Sequence, residues 1–525
     1  MAEKKTYKLT EYIAELKERE MLLDETVSDD VEITGLTYAS GDAKPGTLFV
    51  CKGAAFKEDY LKDAVSRGAV CYVSEVPYDV QIPGTETDVP CILVKDIREA
   101  MPVLAAMFYC RPWEDMTLVG FGGTKGKSTS AYYMKYVADE WMKQQGKPES
   151  AIVSSIDVYD GVDFYESHIT TPEAMELQMH MRNALDRGID FMQMEVSSQA
   201  LKYNRVDEIR QDYGVFLNVS EDHISDIEHS DFEDYFTSKM RMFEMTDTAI
   251  VNLNADNIER VLEAAKASQR LVTFAVDSDA KPDFGAYDVS KTDTGISFRI
   301  RHEGTVDGVP AFDEEFALGM PGFFNVENAL GVIAAASLMG IPMECIRDGL
   351  LKARSKGRME MTVSKDGNII AILDYAHNKL SFEKLFSSMK SEYPDYSIKA
   401  VFGCPGGKAF NRRIELGNVA GTYAEMCYLA SEDPGKEDPH EISKQIAENI
   451  EAVGGRYEII DDRGEAIAKA VSDSAKQALD GKKSLLLITG KGHETRQKIG
   501  TEYVDCTSDA AYVEEYISRY NSEKK

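Results

Sequence analysis

The chain has 525 residues, with 59 Lys and Arg against 90 Asp and Glu, for a net charge of −31. That length exceeds a single hydrophobic core and implies about three domains. The acidity excludes a nucleic-acid or membrane-surface role, which needs a positive footprint, and eight cysteines without a C-x-x-C pair exclude a zinc knuckle or a dense disulfide framework.

The N-terminus, MAEKKTYKLTEYIAELKERE, reads as a charged amphipathic helix without the apolar core of a signal peptide. No apolar run approaches the length of a membrane span, so the expected compartment is the cytoplasm and the scattered cysteines read as reduced core thiols. Residues 1–112 alternate short apolar runs with helical patterns. Strand-like Gly46 to Cys51 is followed by a helix over Tyr60 to Arg67, and strand-like Gly68 to Val73 comes next. Ile92 to Asp96 precedes a helix over Ala100 to Tyr109, and Arg111-Pro112 reads as a linker, because proline disfavours helix in the residue before it.

A second region, 113–355, opens on the apolar run Leu118 to Phe121 and the sequence Gly122-Gly-Thr-Lys-Gly-Lys-Ser-Thr129, with a helical pattern over Ala131 to Met142. Strand, glycines, Gly-Lys-Ser and helix form a phosphate cradle: backbone N–H groups turn toward the anion and the helix N-terminus adds positive charge. Lys127 would reach the β/γ-phosphates and Ser128 a Mg²⁺ ion. The common loop has glycine five positions before the one in Gly-Lys; here that position is Phe121. Further strands are expected at Phe191 to Glu195, Gly214 to Asn218 and Ala249 to Leu253, and a helix at Val326 to Met339. A third region, 356–525, carries strand patterns at Ile369 to Leu373, Lys399 to Phe402, Met426 to Ala430 and Leu485 to Thr489. The alternation implies an α/β protein with mostly parallel sheets and sites at the C-terminal ends of strands. Gly120, Glu195, Asp374, Gly403 and Gly490 fall at such ends.

Several residues could carry chemistry. Glu195 ends a strand where a Mg²⁺ ligand belongs beside a P-loop strand, although a solvated acid reads the same way. Asp222-His223 follows another strand and could bind Mg²⁺ or cap a helix. Tyr235 to Phe243 patterns as an amphipathic helix carrying Lys239, ordinarily a solvated residue. Asn325 and Asn328 share one face at a helix start, where an N-cap asparagine is the plainer reading.

In this order, the segments resemble the Mur ligase family of cytoplasmic peptidoglycan precursor synthesis, and within it the tripeptide-synthetase branch. The resemblance rests on Val119 to Thr129, Ile169-Thr-Thr-Pro-Glu173, Met194-Glu-Val-Ser-Ser198, Asn218 to His223, Tyr235 to Phe243, Gly357-Arg-Met-Glu360, Asp374-Tyr-Ala-His377 and Gly490-Lys-Gly-His-Glu494. It implies three domains: an N-terminal α/β domain (1–112) for the UDP-MurNAc end, a central P-loop ATPase-like parallel-sheet domain (113–355), and a C-terminal Rossmann-like domain (356–525) for the amino acid. The implied reaction is ATP- and Mg²⁺-dependent amide formation on UDP-MurNAc-L-Ala-D-Glu through an acyl phosphate, in a protein expected to be monomeric. A homologue that binds nucleotide without turnover, or a folate-polyglutamylating ligase, would share part of the pattern.

The resemblance also assigns roles. Lys127, Glu195, His223 and Lys239 become catalytic, with Ser128, Glu195, His223 and Lys239 around the metal and Lys239 carbamylated by CO₂. Gly123, Thr124, Lys125, Gly126, Lys127, Ser128, Thr129, Asn325, Asn328, Arg358 and Asp374 match ATP contacts. Ser40, Thr170, Thr171, Ser197 and Arg205 match the UDP-MurNAc-dipeptide site, and Arg413, Glu432, Asp433, Gly490 and Glu494 the acceptor site. The chain departs from the family pattern at Lys125, usually asparagine, at Gln199, usually histidine, and at Ala39 and Gly41 beside Ser40. In Ser431-Glu-Asp-Pro-Gly435, Gly435 replaces the arginine that grips the distal carboxylate of diaminopimelate. Acidic Glu432-Asp433 without that arginine suits a terminal ammonium, which favours L-lysine or a similar cation over meso-diaminopimelate. Lys436, one position along, is the counter-argument.

Overall fold

Leu9, Tyr12 and Leu16 are spaced along one helical face, and they are the buried residues of the first helix, Leu9–Glu18. The structure, a computed structural model, describes residues 6–523 except 54, 222, 223, 225–227, 278 and 294. The chain divides into two compact units, residues 1–274 and 275–525.

The first unit begins with a five-stranded sheet in the spatial order Leu22–Glu25, Cys91–Val94, Ala69–Ser74, Thr47–Val50 and Gly35–Thr37. Only the Leu22–Glu25 strand runs antiparallel to its neighbour. Helix Ile97–Phe108 starts before the expected Ala100 and carries Pro102 inside it. The Asp96 carboxylate accepts from the backbone N–H groups of Arg98 (2.7 Å) and Glu99 (3.3 Å), a cap that fixes the earlier start.

Downstream, the parallel strands Arg270–Val276, Thr246–Asn252, Gln211–Phe216, Thr117–Gly122, Phe191–Glu195 and Ala151–Val153 lie side by side in that order. The short strands Asp157–Tyr159 and Phe164–Glu166 continue antiparallel. Leu118, Val119, Phe121, Met192, Met194, Val215 and Phe216 are fully buried, as expected for strands covered on both faces. The register sets Glu195 opposite Phe121 and Phe216 opposite Gly122. The loops after these strands therefore emerge together at one sheet edge, where α/β proteins place ligands.

The second unit holds an antiparallel ribbon of Phe284–Lys291, Ile296–His302 and Phe312–Leu318, which the expectation of parallel sheets did not anticipate. Ile296, Phe298 and Ile300 are buried while the residues between them are not, the period of a sheet with one solvated face. A six-stranded sheet follows in the order Glu360–Val363, Ile369–Asp374, Lys483–Thr489, Tyr396–Phe402, Met426–Leu429 and Tyr457–Ile459. It is parallel except for its first strand. A hairpin, Arg496–Ile499 with Glu502–Asp505, comes after it. All eight cysteines are unpaired. No described helix is long and apolar enough to cross a membrane.

Candidate active site at the P-loop and the acceptor loops

Strand Thr117–Gly122 passes through Gly123 to Gly126 directly into helix Lys127–Gln144, so the helix begins four residues earlier than its apolar pattern implied. Gly123 has φ of 140°, and a Cβ there would meet the Asn218 backbone at 3.2 Å. Asn218 is the residue that shapes this loop. Its Oδ1 accepts from the N–H groups of Thr124 (3.1 Å) and Lys125 (2.8 Å), and its Nδ2 donates to the Lys125 carbonyl (3.0 Å). The Thr124 hydroxyl bonds Tyr235 Oη at 2.9 Å and accepts from Ser220 N at 3.1 Å. Lys125, the unusual residue of the loop, is half-buried.

The two lysines expected in the catalytic machinery meet at one atom. Lys127 Nζ donates to the Gly123 carbonyl at 3.0 Å and to that of Thr124 at 3.3 Å, and Lys239 Nζ donates to the same Gly123 carbonyl at 2.8 Å. Lys239 is 3% exposed, with its ammonium 4.8 Å from the Tyr235 ring centre. It is therefore not the solvated lysine its sequence type suggests. It lies in helix Phe232–Met240, which ends in a tighter turn over Arg241–Met245.

Glu195, 1% exposed, is tied to the loop through Ser155. One carboxylate oxygen accepts from the Ser155 N–H (2.8 Å) and hydroxyl (3.0 Å), and that hydroxyl also bonds Ser128 Oγ at 3.0 Å. Ser155 carried no sequence signal, because it sits in a bend after the short strand Ala151–Val153. Thr129 is buried in the first helical turn. His223 and Asp222 lie outside the described residues.

A second network extends from the same C-terminal end of the Glu195 strand. Buried Thr171 donates to the Glu195 carbonyl (2.8 Å) and to Ser197 Oγ (3.2 Å), and Arg205 donates to the Thr171 carbonyl (3.2 Å). Glu173 joins Arg205 (3.0 Å) to Lys52 (2.9 Å), which lies over the Tyr38 ring. The structure thus brings Thr171, Ser197 and Arg205 together, with Thr170 half-buried beside them. Ser40 stands apart from this network. It hydrogen-bonds Asp63, and that bond, followed by one from Arg67, holds the carboxyl below its ordinary value.

In the second unit, Asn325 is the first residue of helix Asn325–Leu338 rather than its cap. Its amide donates to the Pro321 carbonyl at 2.7 Å and accepts from Asn328 at 3.0 Å. Asp374 ends its strand and accepts from the N–H groups of Met359 (3.0 Å) and Ala376 (2.8 Å). The Arg358 guanidinium lies 4.4 Å from the Tyr375 ring centre. His493 is pushed down to about 4 by burial and then by the cations Arg358, Lys356 and Lys491, so its imidazole is neutral at physiological pH.

The loops expected to hold the acceptor carry one charged cluster. A Cβ on Gly490 would lie 2.0 Å from Glu432 Oε2, so the glycine is where this carboxylate crosses the backbone. Lys491 pairs with Asp433 (2.9 Å) and Glu494 (2.7 Å), and Glu494 accepts from Tyr375 Oη at 2.9 Å. Arg463 is held by Asp509 (2.7 Å), and buried Arg413 by Glu437 (3.0 Å) and Gln445 (2.8 Å). Burial pushes Glu432 up to about 7; Arg463 and Lys491 oppose the rise, and Asp433 and Glu494 add to it. Gly435 is stitched by both its backbone groups to the hairpin, at Lys498 and Gly500, and Lys436 is exposed.

Residues 122–336 match the Mur ligase middle domain, and residues 357–492 match the Mur ligase glutamate ligase domain. The chain is 36% identical to a UDP-N-acetylmuramoyl-L-alanyl-D-glutamate–L-lysine ligase of Enterococcus faecalis over 500 residues, 94% of each chain. The chain belongs to the Mur ligase family. Another member, a UDP-N-acetylmuramyl-tripeptide synthetase of Lactobacillus delbrueckii subsp. bulgaricus, is 35% identical over 92% of this chain and 93% of its own. The fold is shared with a solved UDP-N-acetylmuramoyl-L-alanyl-D-glutamate–2,6-diaminopimelate ligase, with a TM-score of 0.64, 23% identity, and coverage of 94% of this chain and 97% of that one. It is shared also with MurF from Acinetobacter baumannii, at a TM-score of 0.62 and 15% identity over 98% of this chain and 99% of that one.

Because Asn218 bonds the loop on both sides of Lys125, Asn218→Ala is expected to raise KM for ATP about 10-fold or more, for roughly 1–2 kcal/mol of lost loop order. Initial rates across ATP concentrations check this, and an unchanged KM would show that the loop is held without it.

Proposed function

We propose that the protein joins a diamino acid, L-lysine in preference to meso-diaminopimelate, to the D-Glu side-chain carboxylate of UDP-MurNAc-L-Ala-D-Glu at the expense of ATP. The observation that carries this reading is the convergence of Lys127 and Lys239 on the Gly123 carbonyl, beside a buried Glu195 linked to Ser128. Phosphoryl transfer between two anions is limited by charge neutralisation and positioning, and this edge concentrates both. The names of the E. faecalis and L. delbrueckii relatives supply the substrate class.

In this reading the D-Glu carboxylate attacks the γ-phosphorus, ADP leaves, and the acceptor amine displaces phosphate from the acyl phosphate. Lys127 neutralises the phosphates in the cradle of N–H groups. Thr170, Thr171, Ser197 and Arg205 hold the dipeptide end and Ser40 the uridine end, while Asn325, Asn328, Arg358 and Asp374 hold the adenine nucleotide. Ser128 and Glu195 offer hard oxygen donors that suit Mg²⁺, with His223 and a carbamate on Lys239 completing the set. When bound, the ion neutralises phosphate charge. Domains of residues 1–112, 113–355 and 356–525, a monomeric state and a cytoplasmic location belong to the same proposal.

The acceptor preference rests on charge. Asp433, Glu432 and Glu494 crowd the loop where an arginine is missing, and Arg413, Arg463 and Lys491 are each already paired. Incubation with ATP, Mg²⁺, UDP-MurNAc-L-Ala-D-Glu and a panel of lysine, ornithine and diaminopimelate should give a kcat/KM for lysine at least about 100-fold above that for diaminopimelate, the order of one missing charged contact. Preference for diaminopimelate would overturn the assignment.

A further inference from the structure

Glu392 is the last residue of helix Lys379–Glu392 and is 4% exposed. A carboxylate in the last turn of a helix is opposed by that helix's dipole, and burial adds to the cost. Both are offset at the start of another helix. Glu392 Oε2 accepts from the Gly322 N–H and Oε1 from the Phe323 N–H, each at 2.9 Å, and Oε1 also accepts from the Ser388 hydroxyl. Those two N–H groups belong to the turn that leads into helix Asn325–Leu338.

The opposite side of the same two peptide units faces Asn325. The Pro321 carbonyl, in one peptide plane with the Gly322 N–H, accepts from Asn325 Nδ2 at 2.7 Å. The Gly322 carbonyl, in one plane with the Phe323 N–H, accepts from the Asn325 N–H at 2.8 Å. A peptide unit is rigid and planar, so fixing its N–H fixes the direction of its carbonyl. Asn325 is therefore held by main chain and side chain on two planes that Glu392 aligns, and it accepts in turn from Asn328 at 3.0 Å. Gly322 makes the turn possible: its φ is 95°, and a Cβ there would meet the Phe324 ring at 2.9 Å. The next residue along, Tyr393, adds a second grip, with the Lys291 ammonium 3.6 Å from its ring centre. Lys291 ends strand Phe284–Lys291, against which helix Asn325–Leu338 packs.

We propose that Glu392 is a positioning residue for the nucleotide: through the peptide units of Pro321 to Phe323 it sets Asn325, and through Asn325 it sets Asn328, to hold the adenine end of ATP. This rests on the nucleotide contacts assigned in the ligase reading above. The test is a double-mutant cycle on ATP affinity, by titration calorimetry of the full chain with Mg²⁺ and without dipeptide or amino acid. Glu392→Gln, which keeps the side-chain shape but leaves one acceptor where there were two, should weaken ATP about 10-fold. Asn325→Ala should weaken it at least as much. Because Glu392 acts through Asn325, the double variant should stay within about 2-fold of Asn325→Ala alone. A merely structural role would instead make the two losses multiply. Unmoved ATP affinity in folded Glu392→Gln, or losses that multiply, overturns the proposal. If Glu392→Gln fails to fold, Ser388→Ala takes its place, with an expected loss of about 3-fold that vanishes in the Asn325→Ala background; no loss, or one that persists there, overturns the proposal equally. A wild type that shows this coupling but forms no tripeptide supports the role of Glu392 and defeats the ligase reading alone, whereas one that binds no ATP overturns both.

Discussion

Lys127→Ala lowers turnover by about 10³-fold while the protein keeps its fold, as phosphate release and a melting curve measured together should show. The ammonium sits at the start of the P-loop helix, on the carbonyls of Gly123 and Thr124, where it would move onto a phosphate entering the cradle. One preorganised charge in a water-excluded site contributes roughly 3–4 kcal/mol to a phosphoryl-transfer barrier, and the helix N-terminus cannot replace it, because it carries only about half a charge. Lys127 is half-buried rather than a core residue. Turnover within about 3-fold of wild type would remove Lys127 from the phosphate site, since a retained group of this kind contributes far more.

Lys239→Ala is the second large loss, about 10²-fold or more, with part of the activity restored by short carboxylic acids. Its physical basis is the pairing of like charges. Lys127 and Lys239 both donate to the Gly123 carbonyl, so two ammonium groups share one acceptor in a buried setting where their repulsion is poorly screened. The proposed carbamate on Lys239 would remove one of these positive charges and put an anion at the Gly123 carbonyl of the P-loop, where it could support a divalent ion. A small carboxylate diffusing into the space left by Lys239→Ala would supply the same anion. Loss of activity without rescue would indicate that the ammonium itself is required, and intact activity would remove the residue from the mechanism.

The parts of this site that were legible in the sequence are those fixed by strong local periodicity. The apolar runs ending at Gly122 and Glu195 read as strands of a mostly parallel sheet, and their ends mark the edge where the P-loop lies. Residues that act through long-range contact were not legible. Ser155 joins Ser128 to Glu195 from a bend with no periodic pattern, and Asn218 read as the end of a strand and the start of a family-like segment rather than as the amide that shapes the loop. Lys239 looked solvent-exposed by type, whereas it is buried with its ammonium on the Gly123 carbonyl. In the second unit, the ribbon of Phe284–Lys291, Ile296–His302 and Phe312–Leu318 was missed because its short alternating runs carry charges on one face, which weakens any strand signal. Likewise, Glu432 and Asp433 read as one acidic pair, whereas Asp433 is bound by Lys491, 58 positions from it in the chain.

The central claim is that ATP cleavage is coupled to amide formation on the dipeptide carboxylate. It is tested most directly by measuring phosphate and product mass together in reactions containing Mg²⁺, ATP, UDP-MurNAc-L-Ala-D-Glu and L-lysine, each omitted in turn. One phosphate is expected for every lysine-containing tripeptide formed, and neither product when the dipeptide or ATP is left out. Phosphate release that proceeds at the same rate without the dipeptide, or no tripeptide in the complete mixture, would contradict it.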